Sequence, residues 1–343
     1  MAYTDIDKPS DYFETVLWSS VDTSIDTLDF QPDWVWIKSR TNADTQVLFD
    51  SVRGAGERLS SSSDGAESTK TDELTAFNSD GFTLGTGSNV NRASNNNVAW
   101  NWKAGTSVSG NTTGSGTAKT YTGSVNTTSG FSIISFTGNG TSGHTIPHNL
   151  GVAPAMVILK RYDSSNNWRV GHNGLTSWEY RLTLEATEAQ ASQSAVFNST
   201  APTSSVVTLG NSGSANGNGA TYIMYSFAEK QGYSKFGSYT GNGNADGTFV
   251  YTGFKPAFII QKNKSAADAW VMFDNKRNGY NTAGNEKLYP NSDAAETDVS
   301  EIDFTAQGFK LRAGGNQNNN NGEVYIYMAF ASNPLVTSTG VPA

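Results

Sequence analysis

The sequence predicts an all-β protein made of tandem sandwich domains, and three observations support this prediction. Glycine occurs 35 times in 343 residues, while charged residues make up only 16% of the chain. Helix surfaces need Glu, Lys and Arg, whereas strands joined by tight turns need Gly and Asn. Aromatic residues reach 11% of the chain, which is enough to fill several small cores. The third observation is a set of sequence elements that recurs three times in the same order.

The clearest recurring element is an apolar strand that begins at a proline and ends at a lysine. It runs over residues 32–38, 154–160 and 256–262, so its copies start 122 and 102 residues apart. Each copy is apolar at successive positions, whereas a strand with one solvated face alternates. We therefore expect a second sheet over one face and a loop, domain or subunit over the other. A jelly-roll-like or lectin-like sandwich fits this pattern.

Four further elements follow each lysine at nearly constant spacing. They are the start of a second strand (Gln46, Trp168, Trp270), a four-residue signature (residues 64–67, 187–190, 293–296), a short strand (82–84, 207–209, 309–311) and a closing strand (98–102, 223–227, 326–330). The lysine and the last aromatic residue are separated by 64, 67 and 68 positions. Such matched spacing indicates duplication. The signature has the form of a capping box, which predicts the start of a short helix.

The predicted organisation is three domains with an arm, a linker and a tail. The ranges are 1–14 for the N-terminal arm, 15–105 for the first repeat, 106–122 for a flexible linker, 123–230 for the second repeat, 231–335 for the third and 336–343 for the C-terminal tail. The linker is rich in Gly, Ser and Thr, so we expect the first domain to move relative to the others. We expect the arm, with Tyr3, Ile6, Tyr12 and Phe13, to attach to a partner. The alternative is that it folds back on the first domain.

Charge and composition exclude several classes of function. The net charge is −8 and the pI is about 4.9, and no stripe of Lys and Arg is present to bind nucleic acid or an anionic membrane. The absence of cysteine excludes disulfides and thiolate zinc sites. No segment has the pattern of a signal peptide or a membrane span, which predicts synthesis in a cytoplasm. His144 and His148 are separated by Pro147, which excludes a shared helix face, so we expect no metal site and no cofactor.

Two acidic residues are candidates for ligand contact. Asp50 and Asp274 occupy equivalent positions, and each has an arginine three residues later. Such a pair could bind a polar ligand or hold a carboxylate of perturbed pKa. The interpretation that we favour is an Asp that caps a turn and pairs with the arginine, because the second repeat has His172 and Leu175 in these places.

Four tryptophans, Trp18, Trp168, Trp178 and Trp270, are candidates for stacking on sugar rings. Trp168 and Trp270 each start a matched strand, so a core role fits them better than a ligand contact. Trp178 has no counterpart in the other repeats and is the better candidate for an exposed contact. The asparagine runs 95–97 and 318–321 could hydrogen-bond to glycans, although such loops are more often simply solvated.

Several longer segments carry a resemblance to a known group of proteins. They are PDWVWIKSR, VLFDSVRGAG, NSDGFTLG, VAWNWKAG, SIISFTGNGT, HNLGVAPAMVILKR, SFAEKQGYSKFGSYTGNGNADGTFVYTGFKPAF and GFKLR. Over about residues 1–335 the chain resembles repeat proteins encoded in structural gene clusters of marine tailed bacteriophages, including phages of cyanobacteria. These proteins are described as tail-fibre-like or other virion components without an established active site. The resemblance implies a virion location and supplies no catalytic residues.

The expected function is that of a non-enzymatic virion surface protein, tail-fibre-like, which attaches the particle to its host. Other virion proteins are the expected partners, with a homo-oligomer or many particle-bound copies strengthening weak contacts to a host surface glycan. A decoration or cement protein with a purely architectural role is the alternative. A glycan-degrading tail enzyme is less favoured. Such enzymes need two carboxylates beside the bond, whereas the repeated position supplies one acid in two repeats and none in the other.

Overall fold

The computed structural model describes residues 3–19, 21–277, 281, 285–315 and 317–342. A short 3-10 turn, Pro9–Asp11, precedes the first unit. The first unit contains β1 (Phe13–Ser19), β2 (Ser24–Ile25), β3 (Trp34–Ser39), β4 (Val47–Asp50), β5 (Glu57–Arg58), β6 (Ser68–Thr69), β7 (Leu74–Asn78), β8 (Gly81–Leu84), α1 (Ser88–Asn91) and β9 (Asn96–Trp102). The second unit contains β10 (Thr106–Asn111), β11 (Thr113–Gly114), β12 (Thr120–Asn126), β13 (Phe131–Thr137), β14 (His144–Pro147), β15 (Met156–Arg161), β16 (Arg169–His172), β17 (Tyr180–Thr183), β18 (Ala191–Ser192), α2 (Ser194–Phe197), β19 (Val206–Leu209) and β20 (Thr221–Phe227). The third unit contains β21 (Ser234–Thr240), β22 (Phe249–Tyr251), β23 (Phe254–Asn263), β24 (Val271–Asp274), β25 (Asn285–Lys287), β26 (Thr297–Val299), β27 (Ile302–Thr305), β28 (Gly308–Leu311) and β29 (Val324–Pro334). The prediction of an all-β fold is confirmed.

Each unit has an inner sheet, and the three inner sheets share one antiparallel strand order. The orders are β1-β9-β3-β4, β13-β20-β15-β16 and β21-β29-β23-β24. The lysine-ended strand lies between the closing strand and the second strand in every case. In the second unit, β10 and β12 extend the sheet on one side and β17 and β18 on the other. A smaller outer sheet packs over each inner sheet, in the orders β2-β8-β7, β11-β14-β19 and β22-β28-β27.

The far faces of the three inner sheets meet in one shared hydrophobic core. Trp36, Ile158 and Ile260, each two positions before its lysine, are all buried there. The rings of Trp34 and Tyr225, from the first and second units, stack at 4.6 Å. The outer sheet of a unit covers one face of its inner sheet, and the other two units cover the opposite face. Because the units share this core, the expectation that the first domain moves separately is wrong.

The lysine-ended strands alternate between two cores. In β3, Trp34 and Trp36 point into the shared core, while Val35 and Ile37 point into a core between the two sheets of their own unit. The strands β15 and β23 alternate in the same way between the shared core and the cores of their units. Successive strand residues face opposite sides of a sheet, so a strand buried on both sides is apolar at every position.

Most of residues 106–122, predicted to be a flexible linker, instead lie in strands. β10 pairs with β12 from Thr106 opposite Val125 to Asn111 opposite Thr120. β11 pairs with the edge of the outer sheet at β14. Most side chains of β10 are exposed, so the segment has the composition of a linker. Main-chain hydrogen bonds hold it in the sheet, and they require no apolar side chains.

The N-terminal arm, described from residue 3, packs against the chain itself. Ile6 and Phe13 are buried in the shared core, and the Tyr3 hydroxyl donates to the Gly253 carbonyl at 2.5 Å. Asp7 accepts the main-chain N–H of Ser338, in the predicted tail, at 2.6 Å. The arm also contacts the first unit, where Lys8 pairs with Asp29 at 2.6 Å. It therefore folds back on the chain itself, against the first unit, the third unit and the shared core. Residues 1, 2 and 343 of the arm and tail lie outside the described residues.

Candidate functional site

Neighbouring units meet at three equivalent contacts, which we call joints. The first joint lies between the first and second units, the second between the second and third, and the third between the third and first. At each joint the last residue of one unit's four-residue signature donates its main-chain N–H to a main-chain carbonyl of the next unit. The accepting residue stands two positions after the repeated lysine of that next unit. The pairs are Glu67 with Tyr162 at 2.9 Å, Gln190 with Lys264 at 3.1 Å and Glu296 with Arg40 at 2.9 Å. The signature connects units and starts no helix, so the capping-box prediction is wrong.

Asp50 is fully buried at the first joint. One carboxylate oxygen accepts the main-chain N–H groups of Val52 at 3.1 Å and Arg53 at 2.9 Å. The other accepts Arg53 Nε at 2.6 Å and, across the joint, the Tyr225 hydroxyl at 2.7 Å. Arg53 also contacts Glu67 at 2.8 Å. This is the turn cap and arginine pair that the sequence favoured, and it places the carboxylate where a solvent-borne ligand does not reach.

Asp274 repeats this arrangement at the third joint. It accepts the main-chain N–H groups of Lys276 and Arg277 at 3.0 Å and Arg277 Nε at 2.6 Å. The donor from the neighbouring unit is the indole Nε1 of Trp100 at 3.0 Å. Asp274 is also buried, so neither acid is a ligand contact.

His172 takes the same place at the second joint. Its Nδ1 accepts the N–H of Gly174 at 2.8 Å, as Asp50 Oδ1 accepts the N–H two residues on. Nε2 therefore carries the proton and donates to the carbonyl of Tyr327 in the third unit at 3.1 Å. Burial lowers the pKa of His172 to about 4, which keeps the ring neutral. Leu175 replaces the arginine and is buried in the shared core.

Trp168 and Trp270 belong to the joints as well. Both are buried, and each indole Nε1 donates to a carbonyl of the preceding unit. The bonds run from Trp168 to Ser60 at 2.8 Å and from Trp270 to Thr183 at 2.9 Å. In the first unit Gln46 donates instead to Tyr289 of the third unit at 2.8 Å. These two tryptophans are internal, so they present no surface to a sugar.

The three repeated lysines are buried beside the same contacts. Lys160 Nζ donates to the carbonyl of Asp64 at 3.2 Å and Lys262 Nζ to that of Thr187 at 3.2 Å, each in the preceding unit. Lys38 bonds to Ser39 and Asn42 at 2.6 and 2.9 Å within its own unit. Burial lowers the pKa of each lysine to about 8. The repeated polar residues thus form joints between units.

Each unit has a buried asparagine whose structural role the sequence reasoning missed. Asn91, Asn216 and Asn319 each bond through Nδ2 to two main-chain carbonyls of neighbouring loops. Each stands seven positions before the matched residue that opens the closing strand, and this constant spacing is the signal that could have found them. In the two asparagine runs, Asn95, Asn97, Asn318 and Asn319 are buried, so those side chains are not available to a glycan.

The histidines have internal roles. His144 contacts Asn216 at 2.9 Å and Thr112 at 2.6 Å, and His148 contacts the Thr203 carbonyl at 3.1 Å. Both side chains are buried, so neither histidine is an exposed turn residue. Among the residues that the structure describes, no group of three His, Cys, Asp or Glu side chains could hold a metal ion. No described helix has the length and apolar character needed to cross a membrane.

Three clefts occupy equivalent positions beside the joints. Each cleft is lined by two residues at fixed distances from the repeated lysine of its unit, one five positions before it and one thirteen positions after it. The main-chain N–H of the later residue donates to the main-chain carbonyl of the earlier one at 2.9 Å. The pairs are Asp33 with Ser51, Ala155 with Asn173 and Ala257 with Asn275. The volumes of the three clefts are about 490, 530 and 330 Å³, in that order.

The clefts differ in what lines them. In the first, Asp33 is buried and accepts from Ser51 Oγ at 2.6 Å and the Ala104 N–H at 2.8 Å. Burial raises the pKa of this carboxyl group. The cleft at the third joint is bridged by an ion pair between Lys276 and Glu14 at 2.9 Å. Only the cleft beside the second joint contains a tryptophan, Trp178.

Trp178 is half-buried because it fills a space left by a glycine. The positions equivalent to Gly171 hold Phe49 and Phe273, both buried in the cores of their units. A Cβ on Gly171 would lie 2.3 Å from Trp178 Cζ3. The Trp178 ring also packs edge-on against Phe197, with centroids 5.4 Å apart. One edge of the indole thus replaces a core phenylalanine, and the rest of the ring lines the cleft.

Two exposed aromatic residues were also missed. Phe249 and Tyr251 lie on β22 at the free edge of the third outer sheet and are 45% and 54% exposed. A short apolar run such as Phe-Val-Tyr gives no sign of which side faces solvent. Of the five predicted ligand contacts, only Trp178 is therefore placed where a ligand can reach it.

Comparison with known proteins gives one match. The model of a family described as a domain of unknown function (DUF7483) matches residues 8–334. The match spans all three units, in agreement with the single shared core. No curated protein and no solved structure matches the chain.

Proposed function

We propose that this chain, which belongs to the DUF7483 family, is a non-enzymatic structural protein of a tailed-phage particle and acts in host attachment. The sequence resemblance supports the proposed virion location. The observation that carries the non-enzymatic part is the burial of both repeated acids at joints, each paired with an arginine. A glycosidase needs carboxylates that reach the scissile bond, and Asp50 and Asp274 stabilise contacts between units instead.

The shared core supports a mechanical role. Three sheets that are covered on both faces leave no unit free to close over a substrate. A rigid body of this kind suits a protein that displays surface groups in many copies, where weak contacts add up. The purely architectural alternative relied partly on an apolar arm reaching a neighbour, and Ile6 and Phe13 of that arm are buried in the chain's own core.

The test is to locate the protein on purified particles of the phage that encodes it and to measure adsorption. Antibody labelling in electron micrographs is expected on the tail fibres, and excess purified protein is expected to slow adsorption of particles to host cells. Labelling over the capsid without any effect on adsorption would favour the architectural alternative. Absence of the protein from purified particles would contradict both.

The non-enzymatic proposal has a separate test. Purified protein is incubated with host surface polysaccharide, and we expect no release of oligosaccharide. Release that disappears in an Asp50→Ala/Asp274→Ala double variant of unchanged circular dichroism would overturn the proposal.

A further inference from the structure

We infer that the cleft beside the second joint, lined by Trp178, binds a sugar residue; this inference rests on the proposed role in attachment. The cleft is concave, as ligand sites commonly are, and every residue that lines it belongs to the second unit. Its volume of about 530 Å³ is large enough for one or two sugar rings.

The lining combines an apolar wall with polar groups. Val152, Pro154 and Pro202 lie around the Trp178 ring, and Val152 is exposed. Asn173 and Lys230 stand at the rim. Sugar rings have an apolar face of C–H groups and an edge of hydroxyls, so an indole face beside amide and ammonium groups matches both.

The polar groups at the rim are available for a ligand. Among the residues that the structure describes, the side-chain amide of Asn173 has no hydrogen-bond partner. Lys230 Nζ has neither a hydrogen-bond partner nor an ion-pair partner among them, and Trp178 Nε1 has no acceptor among them. Burial lowers the pKa of Lys230. By contrast, Glu229 is paired with Lys235 at 2.6 Å.

The two equivalent clefts lack these properties and serve as internal comparisons. In the cleft at the first joint, the carboxylate of Asp33 is already bonded to Ser51 and Ala104. In the cleft at the third joint, the Lys276–Glu14 pair crosses the opening. Neither contains an aromatic platform comparable to Trp178, which Gly171 admits only in the second unit.

The tryptophans make this inference directly measurable. The chain has eight, the structure describes all of them, and the other seven are buried. Quenching by acrylamide and rapid exchange of an indole N–H therefore report mainly on Trp178. The experiment titrates the full chain with glucose, galactose, N-acetylglucosamine and glucuronate up to 100 mM. At least one sugar is expected to shift the Trp178 indole resonance with saturation at millimolar concentration and to protect it from acrylamide.

Variants separate the cleft from other surfaces. Trp178→Ala is expected to weaken binding at least tenfold. Because that change also removes packing beside Gly171, Asn173→Ala and Lys230→Ala provide a second test at the rim, and each is expected to weaken binding severalfold with an unchanged melting temperature. Tyr251→Ala is the control, since it removes an exposed aromatic ring from another surface, and it is expected to leave binding unchanged.

The inference would be overturned by no perturbation of Trp178 by any of the four sugars, by binding that survives Trp178→Ala, or by loss of binding in Tyr251→Ala alone. Saturable binding of a proline-rich decapeptide in place of every sugar would also overturn it in favour of a peptide site. None of these outcomes bears on whether the protein is found in the particle, so failure of the inference and failure of the proposed function remain distinguishable.

Discussion

The first and second joints solve one structural problem with different chemistry. At the first, Asp50 accepts a hydrogen bond from Tyr225 and is neutralised by Arg53. At the second, the residue equivalent to Tyr225 is Met328, which has no hydrogen to donate, and the acid and arginine are replaced by His172 and Leu175. The neutral histidine donates to a main-chain carbonyl instead.

The third joint follows the first, because Trp100 supplies a donor to Asp274. An acid is thus present at the two joints whose neighbour offers a donor, and a histidine at the joint whose neighbour offers none. All three joints retain two features at the position of Asp50, His172 and Asp274. The side chain accepts the main-chain N–H of the residue two positions later, and it forms a hydrogen bond with the neighbouring unit. A neutral side chain can replace the charged one, provided that the acid, the arginine and the donor of the neighbouring unit all change together.

Removal of one charge alone is expected to have the largest effect. Asp50→Asn leaves Arg53 buried without its closest counter-charge, which costs about 3–5 kcal/mol of unfolding free energy. Urea denaturation measures the loss. Asp246→Asn is the matched control, since Asp246 pairs with Lys310 but its side chain is 90% exposed, so its effect on the unfolding free energy is expected to be small. Equal losses in the two variants would contradict the assignment of Asp50 to a buried joint.

The second joint gives the stability of the chain a pH dependence through His172. The pKa of His172 is about 4 in the folded chain against 6.5 normally. As the pH falls, the unfolded chain therefore binds the proton first, and stability is lost between about pH 6.5 and 4, by roughly 3 kcal/mol at most. Because other groups titrate in this range, the measurement is the difference in unfolding free energy between the wild type and His172→Gln. That difference is expected to shrink as the pH falls, and a constant difference would refute the prediction.

Truncation of the histidine at neutral pH is expected to cost less than the charge removal. His172→Ala leaves the Gly174 N–H and the Tyr327 carbonyl without their partner, at about 1–3 kcal/mol. No charge is left unpaired, because Leu175 stands where the other joints have arginine. A loss in urea denaturation larger than that of Asp50→Asn would show that burial of charge is not what separates the joints.

The smallest effect is expected from a transplant. Replacing Asp50 by His, Arg53 by Leu and Tyr225 by Met gives the first joint the residues of the second. Exchange of a buried ion pair for packed neutral groups is often close to neutral, so the triple variant is expected to be more stable than Asp50→His alone. If the triple variant is the less stable of the two in the same assay, the three positions do not act as a set.

Sequence patterns predicted those features that depend on side-chain polarity along a strand. The lysine-ended strands and their burial on both faces follow from apolar residues at successive positions, and Trp36, Ile158 and Ile260 lie within those runs. The pattern did not predict what main-chain hydrogen bonds decide. Residues 106–122 pair as strands despite a linker-like composition, and the signature at Glu67 bonds to Tyr162 where a helix was expected.

The candidate site was less predictable for a related reason. An aspartate next to an arginine has the same sequence whether the pair lies on a surface or between two units. Asp50 is buried against Tyr225, which is 175 positions away in the sequence. A local sequence pattern cannot predict a contact between residues so far apart. Trp178 was singled out because it lacked a counterpart, and the structure gives the reason in Gly171, where the other two units have phenylalanine.

The cyclic order of the joints has a consequence for the origin of the molecule. Each unit presents one surface to the unit after it and a different surface to the unit before it, and the contact closes after three steps. A single unit encoded alone, with these two surfaces matched, would assemble by a heterologous interface into a ring of three identical subunits. In such a homotrimer one mutation alters every interface at once. Fusion into one chain removes that constraint, and the exchange of aspartate, arginine and donor for His172, Leu175 and Met328 at a single joint is a change that only the fused form permits.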